Sequence, residues 1–211
     1  MQLIDRLFLW VRRSTFLYRL TLFTRILLVA GFVPTGMVKV LGQRFTIISP
    51  ETPIGAFFEA MYQTGLYWQF IGLSQVIAAL LLLFPRFAHL GAAIFLPIMI
   101  NIFVITVSLD FTGTPVITGM MVLAASYLCF WDFDRFRPLL TRAPLLTEIP
   151  TQELDRWEFL GFTVFAMSLI SFFSFTRGFF PSAATPFVVI AGVAAGLFTL
   201  CRYFWVRWKP S

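Results

Sequence analysis

The chain has 211 residues, of which 59% are hydrophobic and only 12% are charged. The charged fraction is about half that of a typical soluble protein, so the composition excludes a water-soluble globular domain and predicts an all-α integral membrane protein. The net charge of +6 suits the headgroups of a lipid bilayer, and we expect no nucleic-acid partner.

Few residues in the chain can hold a metal or a covalently attached cofactor. The two cysteines, Cys129 and Cys201, lie far apart without a CxxC spacing, and His89 is the single histidine. This excludes a bis-histidine haem and a multi-histidine metal site built from this chain alone. We therefore expect no metal site and no covalently bound cofactor.

The first 19 residues predict an amphipathic helix on the inner leaflet of the membrane. Apolar and basic side chains recur at helical spacing between Leu3 and Arg13, as they do in helices that lie in the membrane interface. We assign residues 1–19 to this segment.

Six stretches of about 20 mostly apolar residues follow, each long enough to cross roughly 30 Å of hydrocarbon. They predict six transmembrane helices at about 20–41, 66–84, 88–109, 115–131, 157–175 and 186–205. We assign a four-helix membrane core to 20–139, a cytoplasmic loop to 140–156, and two additional transmembrane helices with a basic tail to 157–211. The mixed charges between Asp132 and Arg156 predict an ordinary solvated connection.

The distribution of Lys and Arg predicts that the N and C termini are both cytoplasmic. With this orientation, all but three of the 16 basic residues lie on the inner side, the exceptions being Lys39, Arg44 and Arg177. Such a bias is the positive-inside signal of multi-pass membrane proteins. The short loops and the preference for Arg over Lys favour a bacterial cell inner membrane.

A short interfacial helix is predicted over the outer mouth of the bundle, at about residues 53–64. Thr52 is a favourable N-cap, Pro53 suits the first helical position, and Gly65 favours termination.

Polar side chains gather in the outer half of the predicted bundle. At 1.5 Å per residue, Gln75 lies about 12 Å below the outer end of the second span and Asn101 about 10 Å below that of the third. Asn101 shares a helix face with Pro97 and Ser108. We predict a ligand-binding pocket lined by Lys39, Gln75, Asn101 and Asp110, with Glu59 and Thr114 at its outer boundary.

Each of these residues also has a purely structural interpretation. Lys39 can extend its ammonium group to the outer headgroups. Gln75 and Asn101 can join neighbouring helices by hydrogen bonds. Asp110 can cap a loop or pair with Lys39, and Glu59 can mark the water-facing side of its helix.

Residues 25–139 resemble the DoxX-like family of small integral membrane proteins. The similar segments are RILL to GMVK (25–39), IGLSQ (71–75), LLLLFPRF (80–87), LPIMINIF (96–103) and LDFTGTP (109–115). The resemblance implies a four-helix core. It also implies a link to quinone-coupled sulfur oxidation, oxidative-stress complexes or, in distant relatives, cargo or chaperone work. Family members often carry an acidic residue where Gln75 stands, which argues against proton chemistry at this position.

These features favour an accessory, quinone-interacting subunit of a bacterial membrane redox complex. Its partners would be the lipid bilayer and either other membrane subunits or further copies of the chain. A purely structural or assembly subunit is the main alternative. A small-molecule transporter is disfavoured because the sequence lacks two matching halves with broken helices. A membrane enzyme using Asp110 or Glu59 as general base, with Lys39 as electrostatic stabiliser, also stays open.

Overall fold

The computed structural model describes residues 2–141, 152–176 and 185–208, and the regular structure of these residues is helical throughout. The chain divides into two compact units, Met1–Thr151 and Gln152–Ser211. The helices in chain order are α1 (Gln2–Arg13), α2 (Thr15–Val40), α3 (Pro53–Gln63), α4 (Leu66–Leu83), α5 (Ala88–Ser108), α6 (Thr114–Trp131), α7 (Phe133–Thr141), α8 (Arg156–Thr176) and α9 (Thr185–Trp208).

Five of these helices, α2, α4, α5, α6 and α8, are long and apolar enough to cross a membrane. They coincide with five of the six predicted spans, and they indicate a helical, multi-pass membrane protein. The sixth predicted span coincides with α9, whose apolar stretch in the described residues is the shorter segment Pro186–Thr199. Membrane crossing by α9 stays a prediction.

The core of the first unit lies among α2, α4, α5 and α6. Helix α2 packs on α4, α4 on α5, α5 on α6, and α6 on α2, which closes a four-helix bundle. The bundle interior contains small, aliphatic and aromatic side chains, with Phe32 and Phe95 in edge-to-face contact at 4.6 Å between ring centroids. The buried core residues are Leu28, Val29, Phe32, Ala78, Ala79, Leu82, Ala92, Phe95, Met99, Ala125 and Leu128.

The amphipathic segment ends earlier than the predicted boundary at residue 19. Ser14 caps α2, its hydroxyl accepting a hydrogen bond from the Leu17 amide at 3.3 Å, so the membrane helix begins at Thr15. Helix α1 has a buried side and an exposed side. Phe8 is buried against Phe130, with ring centroids 6.4 Å apart, whereas Trp10 is exposed.

A helix lies in the segment that composition alone predicts to be a solvated connection. Helix α7 starts at Phe133, directly after the end of α6, and the Arg137 guanidinium donates to the Asp5 carboxylate of α1 at 2.9 Å. Aromatic packing and this ion pair anchor α7 to α1, so the predicted division between 139 and 140 falls inside a helix. Residues 142–151 of the predicted loop lie outside the described residues.

The second unit is a pair of packed helices, α8 and α9. Small residues bring the two backbones together, because Gly161 faces Thr199 and Gly192 faces Ser168. Asp155 caps α8 by accepting from the amides of Trp157 (2.6 Å) and Glu158 (3.0 Å).

Candidate ligand-binding site

Two glycines bring α2 and α4 into close contact near the end of the bundle at which α2 ends and α4 begins, here named the outer end. A Cβ atom on Gly36 would lie 2.9 Å from the Gly72 carbonyl oxygen, and one on Gly72 would lie 2.6 Å from the Gly36 carbonyl oxygen. Since the two helices run in opposite directions, Gly72 faces Lys39 and Gly36 faces Gln75. The glycine contact therefore places Lys39 and Gln75 across the same helix interface.

The Lys39 side chain turns back into the bundle instead of reaching outward along α2. Its Nζ donates to Gln75 Oε1 at 3.1 Å and to the Thr35 carbonyl, one turn earlier in α2, at 3.3 Å. Lys39 is only 6% exposed and Gln75 4%. This geometry contradicts the interpretation of Lys39 as a side chain that extends to outer headgroups.

Aromatic rings cover the buried ammonium group. Lys39 Nζ lies 4.2 Å from the centroid of the Phe45 ring and 5.4 Å from that of Trp68. Trp68 is held in place because its Nε1 donates to the Gln43 carbonyl at 2.9 Å. Both ring faces are close enough for cation–π attraction, which strengthens as water is excluded.

The predicted outer helix is present as α3 and is tied to the preceding loop by an ion pair. Thr52 caps it by accepting from the Gly55 amide at 3.1 Å, as its sequence predicts. Arg44 donates to both oxygens of Glu59, at 2.8 and 2.9 Å, and Gln63 donates to the same carboxylate at 2.7 Å. These donors lower the pKa of Glu59 to about 2, so its carboxylate is ionised at physiological pH.

A cavity of about 160 Å³ lies between α3 and the loop that follows α2. Phe45 lines the cavity and also contacts Lys39, so this ring stands between the cavity and the Lys39–Gln75 pair. The volume of the cavity is close to that of a cavity of about 150 Å³ that accepts benzene. Its lining consists of Arg44, Phe45, Thr46, Ile47, Ile48, Pro50, Gly55, Phe58, Glu59 and Tyr62.

The predicted four-residue pocket is not formed as expected, because Asn101 is exposed on the outside of the bundle. Asn101 does share a face with Pro97 and Ser108, but all three residues are exposed. The buried face of α5 includes Phe95 and Met99, and a residue two positions after Met99 points about 200° away from it.

The remaining predicted residues lie near the outer end without joining the Lys39–Gln75 pair. Asp110 is exposed after the end of α5 and has a positive φ of 48°. Thr114 is half-buried at the start of α6, where its carbonyl accepts from the Thr118 hydroxyl at 3.1 Å. Glu59, on α3, lines the cavity and pairs with Arg44.

The sequence did not predict the aromatic rings over Lys39 or the Arg44–Glu59 pair. Trp68 has the position of a membrane-interface aromatic residue, yet it is only 1% exposed. Phe45 and Arg44 lie in an irregular loop, where no helical periodicity shows which way a side chain points. One signal for this arrangement was present in the sequence. Gly36 and Gly72 are small residues in two adjacent predicted spans, and small residues allow two membrane helices to pack closely.

Comparison with known proteins finds a bacterial relative. The chain is 34% identical over 127 residues to "Uncharacterized protein YwoB" of Bacillus subtilis (strain 168), and the match covers 57% of this chain and 82% of the relative. No protein-family model and no solved structure matches the chain. The chain belongs to the same family as Bacillus subtilis YwoB.

Proposed function

We propose that the protein is a DoxX-like accessory subunit of a bacterial membrane redox complex and that its outer end binds the headgroup of a quinone. The observation that supports this proposal most is the Lys39 ammonium group, which is turned into the bundle and covered by the rings of Phe45 and Trp68. A lysine that served only to anchor the helix would extend its charge toward water.

The chemistry of the outer end suits a flat ring that carries carbonyl oxygens. A quinone carbonyl is a hydrogen-bond acceptor of the same kind as Gln75 Oε1, so the Lys39 ammonium can donate to it. The cavity beside Phe45 has the size of one ring, and its aromatic side chains offer surfaces for stacking. In this proposal the Phe45 ring turns aside to let the carbonyl reach Lys39.

Electrons would be supplied by a partner subunit, and the quinone would carry them within the membrane. The role of this chain is to bind the ring, orient one carbonyl toward Lys39 and exclude water with the cap formed by α3. Exclusion of water strengthens the interaction between the ammonium group and the carbonyl oxygen.

The proposal includes six membrane spans, cytoplasmic termini and location in the bacterial inner membrane. The 24-residue length of α9 supports the sixth span, and the distribution of basic residues supports the orientation. The Bacillus subtilis relative supports a bacterial source. Cysteines introduced in a cysteine-free variant test the orientation. Glu51→Cys should react with a membrane-impermeant maleimide on intact cells, whereas Glu153→Cys should react only after permeabilisation. The reverse labelling pattern would contradict the proposed orientation.

Quenching of tryptophan fluorescence by a short-chain quinone tests the binding proposal. The purified protein in mild detergent should show saturable quenching, because Trp68 lies at the site. Lys39→Met should abolish saturation, whereas Gly31→Ala, whose added Cβ has no neighbour within 4 Å, should retain it. Equal quenching of wild type and Lys39→Met would contradict the proposal.

A purely structural or assembly subunit is the second candidate, and the Lys39–Gln75 hydrogen bond itself favours it. This bond joins α2 to α4 and so stabilises the bundle without any ligand. The structural role predicts that Gln75→Ala lowers the melting temperature while the complex that contains the protein stays fully active.

A further inference from the structure

Helix α5 carries a polar stripe on its exposed side. Pro97, Asn101 and Ser108 share this face, and all three are exposed. The apolar residues around them, Ile100 and Val104 among them, are also exposed. At 1.5 Å per residue, Asn101 lies about 10 Å from the Ser108 end of α5, which is within the hydrocarbon region of a membrane.

The Asn101 carboxamide has no hydrogen-bond partner among the described residues. A carboxamide has two donors and an oxygen acceptor, and lipid tails satisfy none of them. Polar side chains within membrane helices therefore face the interior of a bundle, a cavity or another helix. Asn101 faces away from its own four-helix bundle, so another helix is needed to satisfy it.

A second group on the same stripe also lacks its usual partner. Pro97 has no backbone N–H and cannot donate to the carbonyl of Ala93, four residues earlier in α5. Ala93 is exposed too, and its small side chain allows another helix to approach closely. Two independent features thus point to helix contact at this stripe.

We propose that this stripe, defined by Ala93, Pro97, Asn101 and Ser108, is the interface through which two copies of the chain form a symmetric dimer. A carboxamide is both donor and acceptor, so two Asn101 side chains across a two-fold axis can each donate to the other's oxygen. Two copies inserted with the same orientation place Asn101 at the same depth, which an unrelated partner would have to match with a polar residue of its own. A symmetric interface of this kind uses the same surface on both copies.

Cysteine cross-linking in native membranes tests the dimer. In a variant without Cys129 and Cys201, Val104→Cys leaves the Asn101 carboxamide in place and lies one turn away on the exposed side of α5. It should form a disulfide-linked species at twice the 24.1 kDa mass of the chain after mild oxidation. Ile117→Cys, on the exposed face of α6 and 61% exposed, is the matched control and should not. Absence of the Val104→Cys dimer, equal cross-linking of both variants, or cross-linking of Val104→Cys to a different protein would overturn the proposal.

The hydrogen bond itself is tested without cysteines. Asn101→Leu keeps the helix apolar and of similar volume but removes donor and acceptor. Energy transfer between labelled copies in liposomes should show a dimer dissociation constant about 10-fold higher than that of the wild type. This factor corresponds to about 1.4 kcal/mol for the loss of two membrane hydrogen bonds. An unchanged dissociation constant would overturn the role of Asn101.

Discussion

Lys39 is a charged residue buried between α2 and α4, and its burial needs compensating contacts. The Gln75 and Thr35 oxygens accept its hydrogen bonds, and two aromatic rings cover it. If the Gln75 acceptor is removed, the Lys39 ammonium group remains buried away from water but loses a hydrogen bond, so the folded state is destabilised.

Replacement of Gln75 should therefore destabilise the first unit. We expect Gln75→Leu to lower the free energy of unfolding by about 1.5–3 kcal/mol, the range for hydrogen bonds to charged groups. Ser74→Ala is the control, because the Ser74 hydroxyl bonds only to the Phe70 carbonyl of its own helix at 2.8 Å. Thermal unfolding in detergent measures both, and a Gln75→Leu effect no larger than that of Ser74→Ala would contradict the importance of this contact.

The ion pair between Arg25 and Asp132 makes a second prediction at the level of residues. The Arg25 guanidinium donates to Asp132 at 2.9 Å, and the two side chains are only 10% and 16% exposed. Arg25→Met leaves the half-buried Asp132 carboxylate without this guanidinium, at an expected cost of about 1–3 kcal/mol.

A double-mutant cycle separates the pair from its surroundings. Arg25→Met with Asp132→Leu removes both charges, so we expect the double variant to be more stable than Arg25→Met alone. Unfolding free energies of the four proteins measure the coupling. If the two single effects simply add, the pair is not coupled as its distance indicates.

The sequence allowed some of these residues to be recognised and not others. The helical rise predicted a similar depth for Gln75 and Asn101, and Lys39 was assigned to the same pocket from its position near the outer end of the first predicted span. Asn101 was predicted to face the bundle interior, but it is exposed on the other side of its helix. The depth of a residue in the membrane follows from its position along the helix, whereas the side of the helix that is buried depends on which neighbouring helices pack against it. A helix that is apolar all round, such as α5, shows little hydrophobic periodicity from which the buried side could be predicted.

At the scale of helices, the contact between α2 and α4 positions the site. Gly72→Ala places a methyl group 2.6 Å from the Gly36 carbonyl oxygen, which neither backbone can avoid without moving. We expect a loss of about 1–3 kcal/mol of stability together with weaker quinone binding. Gly31→Ala meets no atom within 4 Å and should be neutral or stabilising by up to about 1 kcal/mol. Similar unfolding free energies for the two variants would argue against the close contact.

The interactions of Glu59 on α3 predict how the stability of the protein depends on pH. The hydrogen bonds from Arg44 and Gln63 lower the pKa of Glu59 from 4.5 to about 2. Because the pKa in the folded protein is below the unfolded value, the stabilisation is complete above about pH 4.5 and is lost as the pH falls toward 2.

Melting temperatures of the wild type and Glu59→Gln, measured against pH, test this prediction. The wild type should melt higher at pH 6, and the difference should shrink below pH 4.5 and vanish near pH 2. Glu51→Gln, which alters a carboxylate outside this ion pair, serves as the control. A difference between wild type and Glu59→Gln that is independent of pH would contradict the ionised Glu59–Arg44 pair.

The helices themselves differ in how far the sequence predicts them. The start of α3 follows from Thr52 and Pro53, because a capping hydroxyl and a proline without an N–H both satisfy local requirements. Helix α7 was missed, since its anchors lie far away along the chain. Its Arg137 pairs with Asp5, a contact between residues 132 positions apart that no local pattern reveals.

At the scale of the whole molecule, the amino-acid composition predicts the class of protein, an integral membrane protein, but gives little information about its function. A chain with 12% charged residues belongs in a membrane, and the five apolar helices agree with that prediction. The proposed quinone-binding role depends instead on a few side chains at one end of one bundle. Association with a membrane follows from the properties of many residues together. Ligand binding depends instead on a few contacts between residues that are distant along the chain, and sequence patterns do not reveal such contacts.

The amount of quinone that copurifies with the protein tests the central proposal most directly. Protein extracted from bacterial membranes in mild detergent should contain close to one quinone per chain, measured by mass spectrometry of its organic extract. Lys39→Met, purified in the same way, should contain only the background level, and Gly31→Ala should match the wild type. Background quinone in the folded wild-type protein, or equal quinone in the Lys39→Met variant, would contradict quinone binding at the outer end.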